Sequence, residues 1–370
     1  MATINSEIDI NQCKMVKNTE ENMRILGEKI LEGELVIFPT ETVYGIGGNA
    51  FDENAISKIY KIKKRPLNNP LIVHCLGYYD AKSLVNISNE DDIVFKNLTE
   101  EFWPGPLTIV LKSSNIVAKN ITCNTDYIAI RAPKHNCIRT IIQYAQVPIA
   151  APSANLSGKV SSTCIEHVKK YFESYLINII DDSDYICEIG IESTVIKLEN
   201  SNLTILREGS ICYSDLKNFC DKYENLSLYD KPNLVENISP GQLLSHYCPD
   251  KPLYILNLIN YPNNYCLSQK EELSKLTENY LKNSILIDFN SICGKYQNKF
   301  LGYVDLSRNG DFKEAMFNLY NVFHQLNDLN CDKILIYNFS IISNCYNNTL
   351  WDKINRASEN KNIYIPINFL

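Results

Sequence analysis

No run of apolar residues in this 370-residue sequence approaches the ~18 that a membrane span requires. The opening "MATINSEIDINQCK" has neither the basic flank nor the apolar core of a secretory leader. The expectation is a cytoplasmic protein without membrane contact. None of the 13 cysteines forms a C-x-x-C pair or clusters with histidine at zinc-site spacing. That argues against a disulfide scaffold or a structural metal, and the odd, scattered count fits free thiols in a reducing compartment. G-x-G-x-x-G is missing, so a dinucleotide site has no support. G-x-x-x-x-G-K-[ST] is missing too; "LSGKVS" comes nearest and lacks both the first glycine and the hydroxyl directly after the lysine. Any bound nucleotide must therefore be held by cationic side chains and hydroxyls. Positive charge is also short, with 36 Lys and Arg against 43 Asp and Glu and a net charge of −7. A generic nucleic-acid surface needs a basic stripe, so that class is disfavoured. One small anion in a local basic pocket is not.

What is present reads as two α/β units, the prior for this length. A helix fits Thr19 to Leu31, with Met23, Leu26, Ile30 and Leu31 on one face and Gly33 at its end. "ELVIFP" is a short strand, "TETVYGIGG" a loop, and Asp52 to Lys64 a second helix that must stop before Pro66. Strands follow at "PLIVHC", "LTIVL", "YIAIRAP", "VPIAAP", "INIID", "STVIKL" and "LTILREG", with helices at "DDIVFKNLTEEFW" and Cys137 to Ala145. Helices and strands mix without strict alternation, so the first unit, residues 1–221, should be a twisted mixed sheet with flanking helices. Residues 222–250 lose periodicity and read as a linker or lid. In 251–370, "PLYILNL", "SILIDF" and "KILIYNF" flank a helix with Phe312, Ala315, Met316, Leu319, Val322 and Phe323 on its apolar face. That spacing predicts a smaller, parallel Rossmann-like domain.

The local basic pocket has a candidate wall. "SKIYKIKKRPLNNPLIVHC" sets five cations within eight residues: Lys58, Lys61, Lys63, Lys64 and Arg65. Helical spacing puts Lys58, Lys61 and Arg65 on a shared face, with Lys63 elsewhere. A solvated basic helix end explains this as readily as a ligand does. The turn that follows leads into a buried strand, whose end is where α/β sites gather. Arg131 and Arg207 close two apolar strands, and each must be ion-paired or face a ligand anion. His74 ends another strand and fits either a hydrogen-bonded core residue or a ligand contact. In "PIAAPSANLSG", small residues would let a ligand approach the backbone while Ser153 and Asn155 orient it; an ordinary Ser/Asn turn fits as well.

Together these stretches resemble one family, the YrdC-like threonylcarbamoyl-AMP synthases. The resemblance rests on "GELVIFPTETVYGIG", "IYKIKKRPLNNPLIVH", "FWPGPLTIVL", "IAIRAP", "PIAAPSANLSG", "ESTVIKL" and "LREGSI", in that order, with the signature Lys63-x-Arg65 and Ser153-x-Asn155. "SPGQLLSHYCP" resembles the linker of the two-domain form. The fold implied is α/β: a YrdC-like mixed sheet plus a C-terminal Rossmann-like domain. The activity implied is synthesis of threonylcarbamoyl-adenylate from L-threonine, bicarbonate and ATP, with Mg²⁺ accompanying the nucleotide and no protein metal cage. Downstream threonylcarbamoyl transferase machinery would then modify tRNA. By resemblance Thr42, His74, Arg131, Ala151 (through its backbone) and Ser193 would surround threonine. Lys63, Arg65, Asn69, Ser153, Ser161, Arg207 and Tyr247 would surround ATP, with Lys63, Arg65, Ser153 and Asn155 as the catalytic set. Tyr247 would close over the nucleotide, and the second domain would chiefly anchor that lid. Two departures stand out: Gln242-Leu243-Leu244-Ser245 replaces cations in the linker, and Tyr127 replaces a smaller hydroxyl residue. The alternatives are an RNA-binding module on the same fold, and a carbamoyl transferase like the hydrogenase maturation factors, whose extra zinc-finger and acylphosphatase segments are missing here.

Overall fold

A computed structural model describes residues 13–182, 185–230, 246–260 and 267–370, except for the side chains of 267–273 and 369. Most of the expected linker, 231–245, lies outside the described residues, and with it Gln242 to Ser245. Among the described residues, eleven strands from Lys14–Lys17 to Ser227–Tyr229 join in one mixed sheet. The strand Ser227–Tyr229 pairs with Asn202–Arg207, so this sheet runs past Asp221 into the stretch read as linker. Five parallel strands make the second sheet, in the order Gly302–Asp305, Ser284–Asp288, Lys333–Tyr337, Leu253–Ile259, Asn362–Pro366. The parallel Rossmann-like expectation holds.

The local chemistry that starts the helices is conventional. Thr19 caps Glu20–Leu31 by accepting the Asn22 N–H, and Asp52 caps Glu53–Lys63 by accepting the Asn54 N–H at 2.8 Å. The second helix ends at Lys63 because Lys64 turns left-handed, φ 52°. Arg65 therefore leaves the helical path. The expected face of Lys58, Lys61 and Arg65 does not form: Lys58, Lys61 and Lys64 are exposed, while Lys63 and Arg65 are buried.

The stretch read wholly as loop, "TETVYGIGG", contains the strand Gly45–Asn49. Its glycines hide the alternation that would have announced it. They are there for close approach: a Cβ on Gly47 would lie 2.6 Å from Ile149 Cγ2 and 2.8 Å from Phe38 Cε1.

The two units share a core. Val43, Val160 and Ile191 of the first pack in one apolar cluster with Leu319, Tyr320 and Phe323 of the helix Phe312–Asn327. Gly190, φ 80°, rests against the same helix, where a Cβ would meet Phe317 Cα at 2.6 Å. Two buried imidazoles stack across the seam, His167 on His324, with centroids 3.8 Å apart and planes at 14°. His324 Nε2 donates to the Ser161 carbonyl at 3.1 Å. Burial, then its neighbour's charge, lowers His167 to about 3, and burial lowers His324 to about 4.

Both rings are thus neutral when folded and protonate more readily when unfolded. The sign follows: their contribution is complete above the unfolded value of about 6.5 and is lost as pH falls towards 4. Wild-type stability should drop between pH 6.5 and 4.5. His324→Gln should remove about 2 kcal/mol of that drop. Urea midpoints across the range test this, and parallel pH curves for the two proteins would refute it.

Candidate active site

Parallel pairing gathers the site. Ile72–His74 runs parallel to Tyr127–Arg131 with His74 opposite Arg131, so both side chains emerge at the same sheet end. Antiparallel to Ile72–His74 lies Ile149–Ala150, which delivers Ala151 to Ser153. Thr194–Glu199 and Asn202–Arg207 bring Ser193 and Arg207 to the same place. The cavity there, about 50 Å³, is lined by Thr42, Arg65, His74, Arg131, Ala151, Ser153, Ser193 and Arg207 of the expected residues. All five expected threonine contacts are among them.

The two readings open for Arg131 resolve as a buried pair. Its guanidinium donates to Glu41 Oε1 at 2.6 Å, to Thr42 Oγ1 at 2.9 Å and to the Gly105 carbonyl at 3.2 Å. Glu41 also accepts the Lys134 N–H at 3.0 Å. Burial works to raise the Glu41 carboxyl, but Arg131's charge and these donors outweigh it and hold the group below its ordinary value. His74 stands beside them, edge-on to Phe38, with Nδ1 buried and without a partner. Burial first, then the Arg131 charge, lowers it to about 3, so the ring is a neutral donor or acceptor. Ser193 Oγ shares a hydrogen bond with Thr108 Oγ1 at 2.8 Å and accepts from Arg207 Nη2 at 3.0 Å. Arg207 also holds the Ser193 carbonyl, at 3.0 and 2.9 Å. Ala151 commits its N–H to Ile72 O at 2.9 Å.

Arg65 lines the cavity while bracing its own turn: it donates to Asn69 O at 2.9 Å, Asn69 Oδ1 at 2.7 Å and Pro70 O at 2.8 Å. Burial lowers the guanidinium to about 10, still charged at neutral pH.

Five expected contacts lie behind the wall instead of on it. Lys63 is 1% exposed and donates to the Ser153 carbonyl at 2.5 Å and to the Asn155 carbonyl. Burial, then Arg65's charge, pulls its ammonium well below the ordinary lysine value. Such a side chain pins the Ser-Ala-Asn turn; it does not reach into the cavity. Asn155 accepts from Ser153 Oγ at 2.5 Å and donates to Leu156 O and Lys159 O, each at 2.8 Å, so it too shapes the turn. Asn69 orients Arg65. Ser161 Oγ turns to Glu192 Oε1 at 2.5 Å. Tyr247, φ 65° and fully buried, stacks on Tyr320 at 5.3 Å, with Lys353 Nζ 5.5 Å from its ring; its neighbour His246 lines the cavity in its place. Tyr127 points away, donating to Glu199 at 2.8 Å.

The residues not anticipated are Glu41, Glu192, His246, Tyr320 and Lys353. Glu41 and Glu192 sit inside quoted motifs, "PTETVYG" and "ESTV", and asking what would neutralise Arg131 points to the first. Tyr320 and Lys353 carry no sequence signal, because nothing local says that their helices dock here.

The Sua5/YciO/YrdC family model, described as "Telomere recombination", matches residues 28–209. A second, "Threonylcarbamoyl-AMP synthase, C-terminal domain", matches 211–358. The threonylcarbamoyl-AMP synthase of Pyrococcus abyssi is 38% identical over 238 residues, covering 64% of this chain and 68% of its own. This chain belongs to the threonylcarbamoyl-AMP synthase family. The Bacillus subtilis threonylcarbamoyl-AMP synthase is 36% identical over 251 residues, 67% of this chain and 68% of that one. The crystal structure of P. abyssi Sua5 complexed with L-threonine superposes with a TM-score of 0.78 at 30% identity, over 95% of this chain and 99% of that one. Both units of the fold are therefore those of the two-domain family form.

Proposed function

We propose that the chain makes L-threonylcarbamoyl-adenylate and pyrophosphate from L-threonine, bicarbonate and ATP, for transfer to tRNA by separate machinery. The observation that carries the reading is the single cavity holding Thr42, His74, Arg131, Ala151 and Ser193, in a chain that superposes along most of its length on a Sua5 structure complexed with L-threonine.

The chemistry asks for such a place. Threonine must be carboxylated on nitrogen to a carbamate, a weak nucleophile that water destroys. The carbamate oxygen attacks the α-phosphorus and pyrophosphate leaves. Both reactants are anions, so fixed cations must face the developing charge. Arg65 and Arg207 supply them, with Lys63 holding the turn opposite. Ser153 offers a hydroxyl to the nucleotide.

Among the described residues no three His, Cys, Asp or Glu lie together to hold a metal ion. On this reading Mg²⁺ would ride on the phosphates and water, neutralising charge there. Among the described residues no helix is long and apolar enough to cross a membrane.

The deciding experiment measures pyrophosphate release from ATP with threonine and bicarbonate each present or omitted. Release should require both. A chain that binds tRNA yet releases none would be the RNA-binding module instead. Specificity offers a second check. The pocket's hydroxyls and neutral His74 suit a substrate hydroxyl, and a site that pairs a hydroxyl strongly rejects the analogue lacking it. Serine should be a poorer but measurable substrate and valine about 10⁴-fold worse than threonine. Equal rates with valine would contradict a polar pocket.

A further inference from the structure

Among the described residues that line the cavity, Glu192 is the one carboxylate. It is held from two sides. Ser161 Oγ donates to Oε1 at 2.5 Å, and Tyr320 Oη, from the second unit, donates to Oε2 at 2.8 Å. An O–H aimed at each oxygen is an arrangement for a carboxylate, which can only accept. Basic side chains lie around it. Arg65 and Arg207 line the same cavity, and Lys63 and Lys353 lie near enough for the Glu192 charge to favour their protonated forms. Tyr247 and Tyr320 lie near enough for the Glu192 charge to disfavour their phenolates, and His246, kept neutral by burial and then by the charges of Arg65, Lys63, Arg207 and Lys353, lines the same cavity. Of the other acids near by, Glu41 is paired with Arg131, and Asp352 with Lys353 and Arg356. His74 stands beside Arg131, so a proton there would set a second cation against the first.

Threonine reaches this pocket as an ammonium ion, but only a neutral amine can attack bicarbonate. We propose that Glu192 accepts the ammonium proton of threonine, and that Tyr320 of the second unit positions it to do so. The inference rests on the carboxylation reading above. Glu192 takes one proton from nitrogen. The freed lone pair forms a C–N bond to the bicarbonate carbon as a C–O bond breaks, and the proton returns from Glu192 to the departing hydroxide, giving water. A second nitrogen proton then passes to Glu192 and on to solvent. Ammonium plus bicarbonate thus becomes carbamate, water and one proton, with no redox change. On this account the second unit is part of the catalytic apparatus, beyond anchoring a linker.

The test uses the full chain and follows threonine- and bicarbonate-dependent pyrophosphate release against pH. Glu192→Gln keeps the shape and should lower kcat about a hundredfold, abolishing the acidic limb of the profile. Tyr320→Phe removes one donor from the carboxylate, making it easier to protonate. It should lower kcat about 3- to 10-fold and move the acidic limb to higher pH, a shift that a purely structural role would not produce. Wild-type rate with an unchanged limb in Glu192→Gln overturns the proposal. So does an unmoved limb in Tyr320→Phe, which decides the matter should the first variant not fold. A defect in Glu192→Gln that excess Mg²⁺ repairs would make the residue a metal contact and overturn it as well. Wild-type protein that releases no pyrophosphate in response to threonine would instead refute the functional reading itself, and this inference with it.

Discussion

Arg131→Met should destabilise the protein by about 3–5 kcal/mol, the usual consequence of stranding one member of a buried ion pair. Glu41 is 2% exposed and Arg131 4%, so water cannot take over the lost interaction. Methionine fills much of the arginine's volume, which leaves the unpaired charge, and not a cavity, as the cause. Against a typical total of ~5–15 kcal/mol this is a large fraction. The double variant Glu41→Gln with Arg131→Met removes both charges and should recover most of the loss, because a buried pair contributes little net stability over neutral replacements. Threonine affinity should stay low in both variants, since Thr42 loses its 2.9 Å donor in each. Urea unfolding of the three proteins and threonine titration of the double variant make the comparison. If Arg131→Met unfolds within about 1 kcal/mol of wild type, the pair behaves like a surface salt bridge and its burial adds no penalty.

Arg65→Ala should lower pyrophosphate release by on the order of a hundredfold, as removal of one preorganised donor to developing charge does. The residue is buried, charged and fixed by three hydrogen bonds to its own turn, so it costs little reorganisation when a phosphate arrives. Arg65→Lys keeps a charge but loses the fork that grips Asn69 and Pro70. It should fall between the two, with most of the defect in kcat. Single-turnover rates at saturating ATP and threonine, with thermal unfolding as a control on the 65–70 turn, separate lost chemistry from a loosened loop. Near-normal turnover in Arg65→Ala would remove Arg65 from the reaction.

The two effects differ in kind although both concern arginines at the edge of one cavity. Arg131 is neutralised within the protein and its loss is felt first in stability. Arg65 donates to carbonyls and an amide, and among the described residues no carboxylate pairs with it, so its charge remains available to a ligand.

Much of this was legible without coordinates. Apolar periodicity placed the helix ending at Leu31, the strand before His74 and the parallel second sheet, since burial imposes a period of 2 or 3.6 on the residues themselves. Motif order brought together the residues around threonine, because those side chains close short strands whose neighbours are set by the fold. The strand Gly45–Asn49 escaped, as glycines carry no hydrophobic signal even when their backbones are fully packed. Which cations face the cavity was beyond the sequence as well. A single left-handed residue, Lys64, redirects the chain, so that Arg65 turns inwards onto the cavity and Lys63 ends on carbonyls about ninety residues away. Tyr320, His324 and Lys353 show the limit most plainly. Their roles exist only because the second unit docks on the first, and docking follows from the shapes of two finished surfaces. Local propensity and spacing determined most of the elements, and the resemblance of the motifs to one family named the residues around threonine; the tertiary structure alone decided which charges are paired, which are presented, and that Glu192 is held from the second unit.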